Sequence, residues 1–340
     1  MKTLISNTLI AISLMTQLIS CQQHPQDVVN EYYRQGEFNG SVLVVKNGKI
    51  VCDTALGFRN IEKGLKADKK TSFYIASLSK SFTAVAILML EQKGLLKLDD
   101  RASQFIALPE YAKNITIRQL LHHTSGIRNY ENLFSKKGLT NQDVINWLFN
   151  LNNLDFVPDS AFKYSNSGYI VLSQIIEKVS GKSYSTFING EIIIPLNMNH
   201  TYVYEQGTVI QNIALGYNKQ KKLDDYSLAT TGDGGIYSTP EDLYQYDQAL
   251  RNYILISKEN TAIMYMPSKL FDGQISNYGL AWFLEENNGR KNAMHTGGLN
   301  GFKALFWRDL QHNSCIIALT NQGDAFPLED FLQDIKKTIQ

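Results

Sequence analysis

The sequence predicts an α+β fold, in which one antiparallel sheet is formed from both termini and flanked by helices, with an all-helical lobe inserted between its halves. Three observations lead there. Near the start, Ser41-Val42-Leu43-Val44-Val45-Lys46 and Lys49-Ile50-Val51-Cys52 flank Asn47-Gly48, and Asn-Gly between apolar runs is the strongest short hairpin signal. At the other end, residues 278–283, 291–296, 302–307 and 314–319 are short strand-like runs separated by turns. Between the two ends, apolar residues recur at helical spacing. Strands at both ends with helices in the middle favour one sheet with an inserted helical unit. The expected boundaries are an α/β lobe over 28–95 and 251–340 and a mainly helical lobe over 96–250.

Residues 27–35 suit a short helix before the hairpin. A longer helix is expected to open at about Ser77, run through the apolar stretch 82–90 and close near Gly94, a favoured stop residue. Residues 116–122, 140–148 and 167–179 read as helices. Thr140-x-x-Asp143 is a capping-box variant, and Val171, Leu172, Ile175, Ile176 and Val179 share one face before Gly181. A helix over 183–194 stops at Pro195. Thr239-Pro240 opens another, with proline at the first helical position, and residues 326–339 make a final amphipathic helix.

The chain has 340 residues, 44% of them hydrophobic, enough for a large core. Its 33 basic and 32 acidic residues balance, and no basic run suits nucleic acid. Met1-Lys2 followed by the apolar run 4–19 reads as an export signal, too short and too broken by Asn7 and Gln17 to span a membrane. Leu18-Ile19-Ser20-Cys21 resembles a bacterial lipobox, which implies cleavage before Cys21 and lipidation of that cysteine. An ordinary signal peptide with a cysteine near its cut site is the alternative. Residues 21–27 would then be a polar tether, and the protein would sit in the cell envelope, held to the membrane by its lipid alone. Cys52 and Cys315 lie in apolar runs and read as buried small hydrophobes rather than a disulfide. No His, Cys or Glu pair has zinc spacing, and no cofactor is expected. Ser180-Gly181-Lys182-Ser183 is not a phosphate loop, because Ile176 stands where the first glycine would be needed.

The chemistry begins at Ser77-Leu78-Ser79-Lys80. On a helix, positions three apart share a face, so the Lys80 amine can reach the Ser77 hydroxyl. Ser-x-x-Lys is expected roughly once or twice by chance in a chain this long. Ser160-Ala161-Phe162-Lys163 is a second match, in a loop where the same-face argument fails. A serine nucleophile also needs a base, an oxyanion site and substrate contacts. Tyr164-Ser165-Asn166 precedes a helix: Tyr164, if held near a lysine ammonium, would ionise more easily and take the serine proton, and Asn166 would orient Lys80 and a substrate amide. Tyr130-Glu131-Asn132 matches the same pattern without that junction. His295-Thr296-Gly297-Gly298 ends a strand, where glycines admit a close-lying substrate and where the Gly298 and Ser77 amides could bind an oxyanion.

Ser77-x-x-Lys80, Tyr164-x-Asn166 and His295-Thr296-Gly297, in this order, resemble the penicillin-recognising serine hydrolases, in the branch of class C β-lactamases, D-alanyl-D-alanine carboxypeptidases, D-aminopeptidases and related esterases. Leu120-Leu121-His122-His123-Thr124-Ser125-Gly126, Ile194-Pro195-Leu196-Asn197-Met198 and Gly234-Gly235-Ile236-Tyr237-Ser238-Thr239-Pro240 extend the resemblance, which runs from about Asp27 to the C-terminus. It implies the β-lactamase-like fold, with Ser77 forming an acyl-enzyme, and Lys80 and Tyr164 sharing general base and acid duty in a division that spacing leaves open. It also implies Asn166 as a positioning residue, His295 and Thr296 in contact with substrate, and Gly297 and Gly298 at the oxyanion strand. His122 and His123 read as structural. Many members of this group carry lysine where His295 stands, and the absence of that fixed charge favours a peptidase or esterase over an efficient β-lactamase. The class A tripeptide Ser-Asp-Asn is absent. The expected function is an exported hydrolase of a peptide, amide or ester. A true class C-type β-lactamase or D-Ala-D-Ala carboxypeptidase, and a penicillin- or peptide-binding lipoprotein with little turnover, are the alternatives.

Overall fold

A computed structural model describes residues 23–339 apart from 206, 208, 226, 227 and 288. The segment expected to be an export signal, and Cys21, lie outside the described residues. Helix α1 (Pro25–Arg34) begins inside the stretch expected to be a tether: Pro25 takes the first helical position, and the His24 ring accepts from the Gln26 amide at 3.2 Å. The hairpin follows as β1 (Gly40–Lys46) and β2 (Lys49–Leu56), with Asn47 and Gly48 both at positive φ (50° and 77°), as a tight turn between right-twisted strands requires.

A 3₁₀ turn over Ala76–Leu78 runs directly into α2 (Ser79–Gln92), and Gly94 closes the segment at φ 70°. Helices α3 (Ile117–Leu121), α4 (Asn141–Phe149), α5 (Asn166–Ser180) and α6 (Tyr184–Ile188) follow. The capping box at α4 is reciprocal. The Thr140 hydroxyl accepts from the Asp143 amide at 3.3 Å, and the Asp143 carboxylate accepts from the Thr140 amide at 3.0 Å. Gly181 ends α5 in the left-handed conformation, and after α6 the chain makes a π turn over Asn189–Ile193 instead of continuing as α-helix. Helices α7 (Pro240–Arg251) and α8 (Lys258–Met264) lead to β3 (Phe283–Asn287), β4 (Arg290–Leu299), β5 (Phe302–Asp309) and β6 (Ser314–Thr320), then α9 (Leu328–Ile339). Residues 278–282 are not a strand, because Tyr278 makes only an isolated bridge to Phe283.

The main sheet has the order β3-β4-β5-β6-β1-β2, all antiparallel, so the N-terminal hairpin joins the C-terminal strands through β1 against β6. Alternation sends its apolar residues both ways. Val42, Val44, Ile316 and Ala318 face α1 and α9, where Tyr32, Phe331 and Ile335 pack. Leu43, Val45, Ile317 and Leu319 face a larger core that is continuous through α2, α5 and α7. Cys52 falls on the first face and Cys315 on the second, so the two thiols are free and cannot pair. Helix α2 is therefore buried nearly all round, between sheet and helices, with Phe82 stacked on Tyr246 of α7 at 4.4 Å.

Candidate active site

Ser77 sits at the mouth of this buried helix because the residue before it turns the chain. Ala76 has φ +46°, a conformation that costs an L-residue about 1–2 kcal/mol. Across from it, Gly297 of β4 lies so close that a Cβ there would stand 2.1 Å from the Ile75 carbonyl oxygen and 3.1 Å from the Ser77 nitrogen. Glycine at 297 is what lets the strand edge lie against the serine turn. Ser77 and Gly298 line one small cleft of about 90 Å³, with Asn166, Tyr130, Asp233 and Leu299 among its walls. Their amides would supply the two oxyanion donors.

Lys80 is 0% exposed. Its Nζ contacts Ser77 Oγ at 3.1 Å, Asn166 Oδ1 at 2.7 Å and the Asp233 carbonyl oxygen at 2.7 Å. Two of these partners can only accept, so they fix two N–H bonds of the amine in any protonation state. The third position points at Ser77. As an ammonium, Lys80 donates to Ser77 there; as a neutral amine, it directs its lone pair at the serine proton. Burial lowers its pKa to about 8, against the opposing pull of Asp233. With its carbonyl oxygen held by Lys80 and its backbone N–H donating to Asn129 Oδ1 at 3.0 Å, Asn166 keeps its amide NH₂ for a substrate in the cleft.

Tyr164 corrects one expectation. Its ring lies 5.0 Å from the Lys80 nitrogen. Even so, burial raises its pKa, with only the neighbouring Ser77 hydroxyl opposing that shift. Desolvation dominates, so Tyr164 is a neutral phenol and a proton donor at neutral pH, not a ready base. Its buried hydroxyl oxygen makes no well-formed hydrogen bond among the described residues and has the Ser77 hydroxyl as its near neighbour, at a place where a reacting group would provide a partner.

The histidine and threonine of the third motif are placed differently from the expectation that both contact substrate. Alternation along β4 turns His295 inward and sends Thr296 to the other face, where it shares a surface depression with Lys303, Phe326 and Leu328. His295 is 2% exposed and boxed by the rings of Tyr164, Tyr278 and Phe283. Its Nδ1 contacts the Thr296 carbonyl at 2.6 Å and its Nε2 the Tyr278 hydroxyl at 3.0 Å. A carbonyl can only accept, so Nδ1 carries the proton and Nε2 accepts from Tyr278. The network continues to His123, just past the end of α3. Its Nδ1 accepts from the Ser165 amide at 3.1 Å, so its Nε2–H donates to Tyr278 at 3.3 Å. Burial and the Lys80 charge hold His295 at about 3 and His123 well below its ordinary value. The two histidines are therefore neutral, and Tyr278 joins the β4 strand to the loop carrying Tyr164. The pattern did not single out Tyr278 or Asp233. The one sequence signal for Asp233 is the glycine density around it, Gly232-Asp233-Gly234-Gly235. Of the rival matches, Ser160 lines a separate groove, while Tyr130 lines this cleft and donates to Asp233 at 2.5 Å. No group of three or more His, Cys, Asp or Glu able to hold a metal ion stands among the described residues.

Comparison with known proteins agrees with this architecture. The Beta-lactamase family model matches residues 22–335. Penicillin-binding protein 4* of Bacillus subtilis (strain 168) is 32% identical over 328 residues, covering 89% of this chain and 72% of that protein. The fold is shared with a penicillin-binding protein from Bacillus halodurans (TM-score 0.82, 24% identity, 92% of this chain and 98% of that one). It is shared equally with the D-amino acid amidase of Ochrobactrum anthropi SV3 (TM-score 0.80, 23% identity, 93% and 97%). The chain belongs to the Beta-lactamase family and is a serine hydrolase.

Proposed function

We propose that this protein is an exported hydrolase that works through an acyl-enzyme on Ser77 and acts on a peptide, amide or ester rather than as an efficient β-lactamase. The observation that carries the reading is the fixed three-way contact of Lys80, which aims its third position at Ser77 Oγ. Neutral Lys80 takes the Ser77 proton as Oγ attacks the carbonyl carbon. The oxygen that becomes negative is met by the Ser77 and Gly298 amides, and losing one such donor typically costs about 10²–10³ in rate. Lys80, now charged, returns the proton through the Tyr164 phenol to the leaving group. Water then repeats the sequence on the acyl-enzyme.

The substrate preference rests on His295. A neutral, buried imidazole whose two nitrogens are already occupied offers no positive charge to a substrate carboxylate. That disfavours ligands whose recognition depends on one. Export and lipidation at Cys21 rest on the residue pattern 1–21 alone. A second reading, a penicillin-binding protein of low turnover, is supported by the likeness to the Bacillus subtilis protein so named.

Labelling with a fluorophosphonate and a fluorescent penicillin, read by intact mass, tests the proposal. The wild type should gain one adduct and Ser77→Ala none; an adduct persisting in Ser77→Ala would end the Ser77 reading. Rapid turnover of p-nitrophenyl esters or amides with slow turnover of nitrocefin supports the hydrolase, whereas a stable penicillin adduct with no turnover of any of them supports the second reading.

A further inference from the structure

Lys80 is an ammonium-forming group sealed inside the protein, and such a group needs a counter-charge. The groups facing it are Ser77 from its own turn, Asn166 and Tyr169 from α5, Tyr164 from the loop before α5, His123 from the turn after α3, His295 from β4, and Asp233. The tyrosines are neutral phenols and the histidines are neutral. Asp233 is the one carboxylate among them.

The loop that carries Asp233 is held from several sides. Thr83 of α2 donates to the Gly232 carbonyl at 2.6 Å, and the Gly235 amide donates to the Tyr74 hydroxyl at 3.1 Å. Gly232 has φ +94°, and a Cβ there would stand 2.5 Å from the Tyr169 carbonyl oxygen, so only glycine lets the loop thread against α5. The backbone oxygen of Asp233 then accepts from Lys80 at 2.7 Å. Asp233 is 6% exposed and its carboxylate accepts from Tyr130 through Oδ2 at 2.5 Å, with Oδ1 unpartnered among the described residues; burial raises its pKa, and the Lys80 charge, Tyr130, its own amide and Thr230 oppose that shift. A carboxylate buried this deeply is an expensive arrangement for packing alone.

We propose that Asp233 is a positioning residue for catalysis, whose side-chain charge, held in place by Tyr130, stabilises the Lys80 ammonium and so sets the pH at which Ser77 is activated. The proposal rests on Lys80 acting as the base for Ser77. Its charge acts twice. In the resting enzyme it keeps Lys80 protonated to higher pH, which delays activation. During attack it stabilises the ammonium that forms when Ser77 Oγ–H gives its proton to Nζ, which makes Lys80 the stronger base. Removing the charge should therefore let activity appear at lower pH while lowering the rate finally reached.

The test is the second-order rate of fluorophosphonate labelling of Ser77, followed by intact mass from pH 5 to 10, for the wild type and Asp233→Asn. Asp233→Asn is expected to move the rising limb to lower pH by about one unit, the low end of the effect of a nearby opposite charge, and to lower the alkaline plateau several-fold. A merely structural role would lower the plateau and leave the limb in place; an unmoved or raised limb overturns the proposal. If Asp233→Asn does not fold, Tyr130→Phe serves, since loss of the Tyr130 donor weakens the carboxylate charge. A smaller shift in the same direction supports the proposal, and none overturns it. Failure of the underlying Ser77 reading is seen separately, as labelling that survives in Ser77→Ala.

Discussion

Lys80 on the helix side of Ser77 and His295 on the strand side are buried almost equally, at 0% and 2% exposure. Burial pushes both toward their neutral forms, Lys80 to about 8 and His295 to about 3. The outcomes differ because of what surrounds them. Lys80 has Asp233 beside it, so its charge stays available near physiological pH. For His295, burial and the Lys80 charge both disfavour protonation, and only the Thr296 carbonyl opposes them. Its nitrogens are committed to Tyr278 and Thr296. The same desolvation thus makes a poised base where a carboxylate is close, and an inert brace where only neutral partners are.

That contrast can be broken from either side. The largest effect is expected on the helix side. Lys80→Met should lower kcat/KM about 10³-fold or more while the melting curve remains cooperative, since positioned acid–base groups contribute up to ~10⁴. Tyr164→Phe should cost about 10² on a substrate with a poor leaving group, such as an anilide or amide, and much less on a p-nitrophenyl ester, whose leaving group needs no proton. Equal losses on both would remove Tyr164 from leaving-group protonation.

The strand side should register in stability rather than rate. The folded-state pKa of His295 lies below its unfolded value, so protonation favours the unfolded chain. The stability this contributes is complete above about pH 6.5 and is lost as pH falls toward 3. Between pH 6.5 and 5 the loss should be about 2 kcal/mol for His295, and His123, shifted the same way, adds to it. Urea denaturation at the two pH values checks this; equal midpoints would contradict neutral, buried histidines. Tyr278→Phe should have the smallest effect on rate, under about ten-fold, while lowering stability by about 1–3 kcal/mol through two unpaired imidazole nitrogens. A collapse in kcat/KM without loss of stability would assign Tyr278 to the chemistry.

The sheet, the Asn47-Gly48 hairpin and the Ser77 helix were legible in the sequence because each rests on local pattern: alternation, a turn dipeptide, a helical run with a glycine stop. Ser77, Lys80, Tyr164 and Asn166 were legible because their spacing fixes a shared face or a junction. The parts that escaped depend on partners remote in the chain. Tyr164 was expected to ionise, and only its burial reverses that. His295 was expected to face substrate, and only Tyr278, seventeen residues earlier, turns both its nitrogens into internal contacts. Asp233 is 153 residues from Lys80, and no local pattern joins them. Residues 278–282 have the apolar character of a strand, yet they form the wall that carries Tyr278 to the site rather than a rung of the sheet.

The most direct test of the account is the wild-type pH profile of Ser77 acylation beside that of His295→Gln. A single rise centred near pH 8, keeping its midpoint in the variant, is the predicted result: Lys80 is the titrating base and His295 is silent. A rise centred between pH 6 and 7 that disappears in His295→Gln would contradict it, and would move the working base from the helix to the strand.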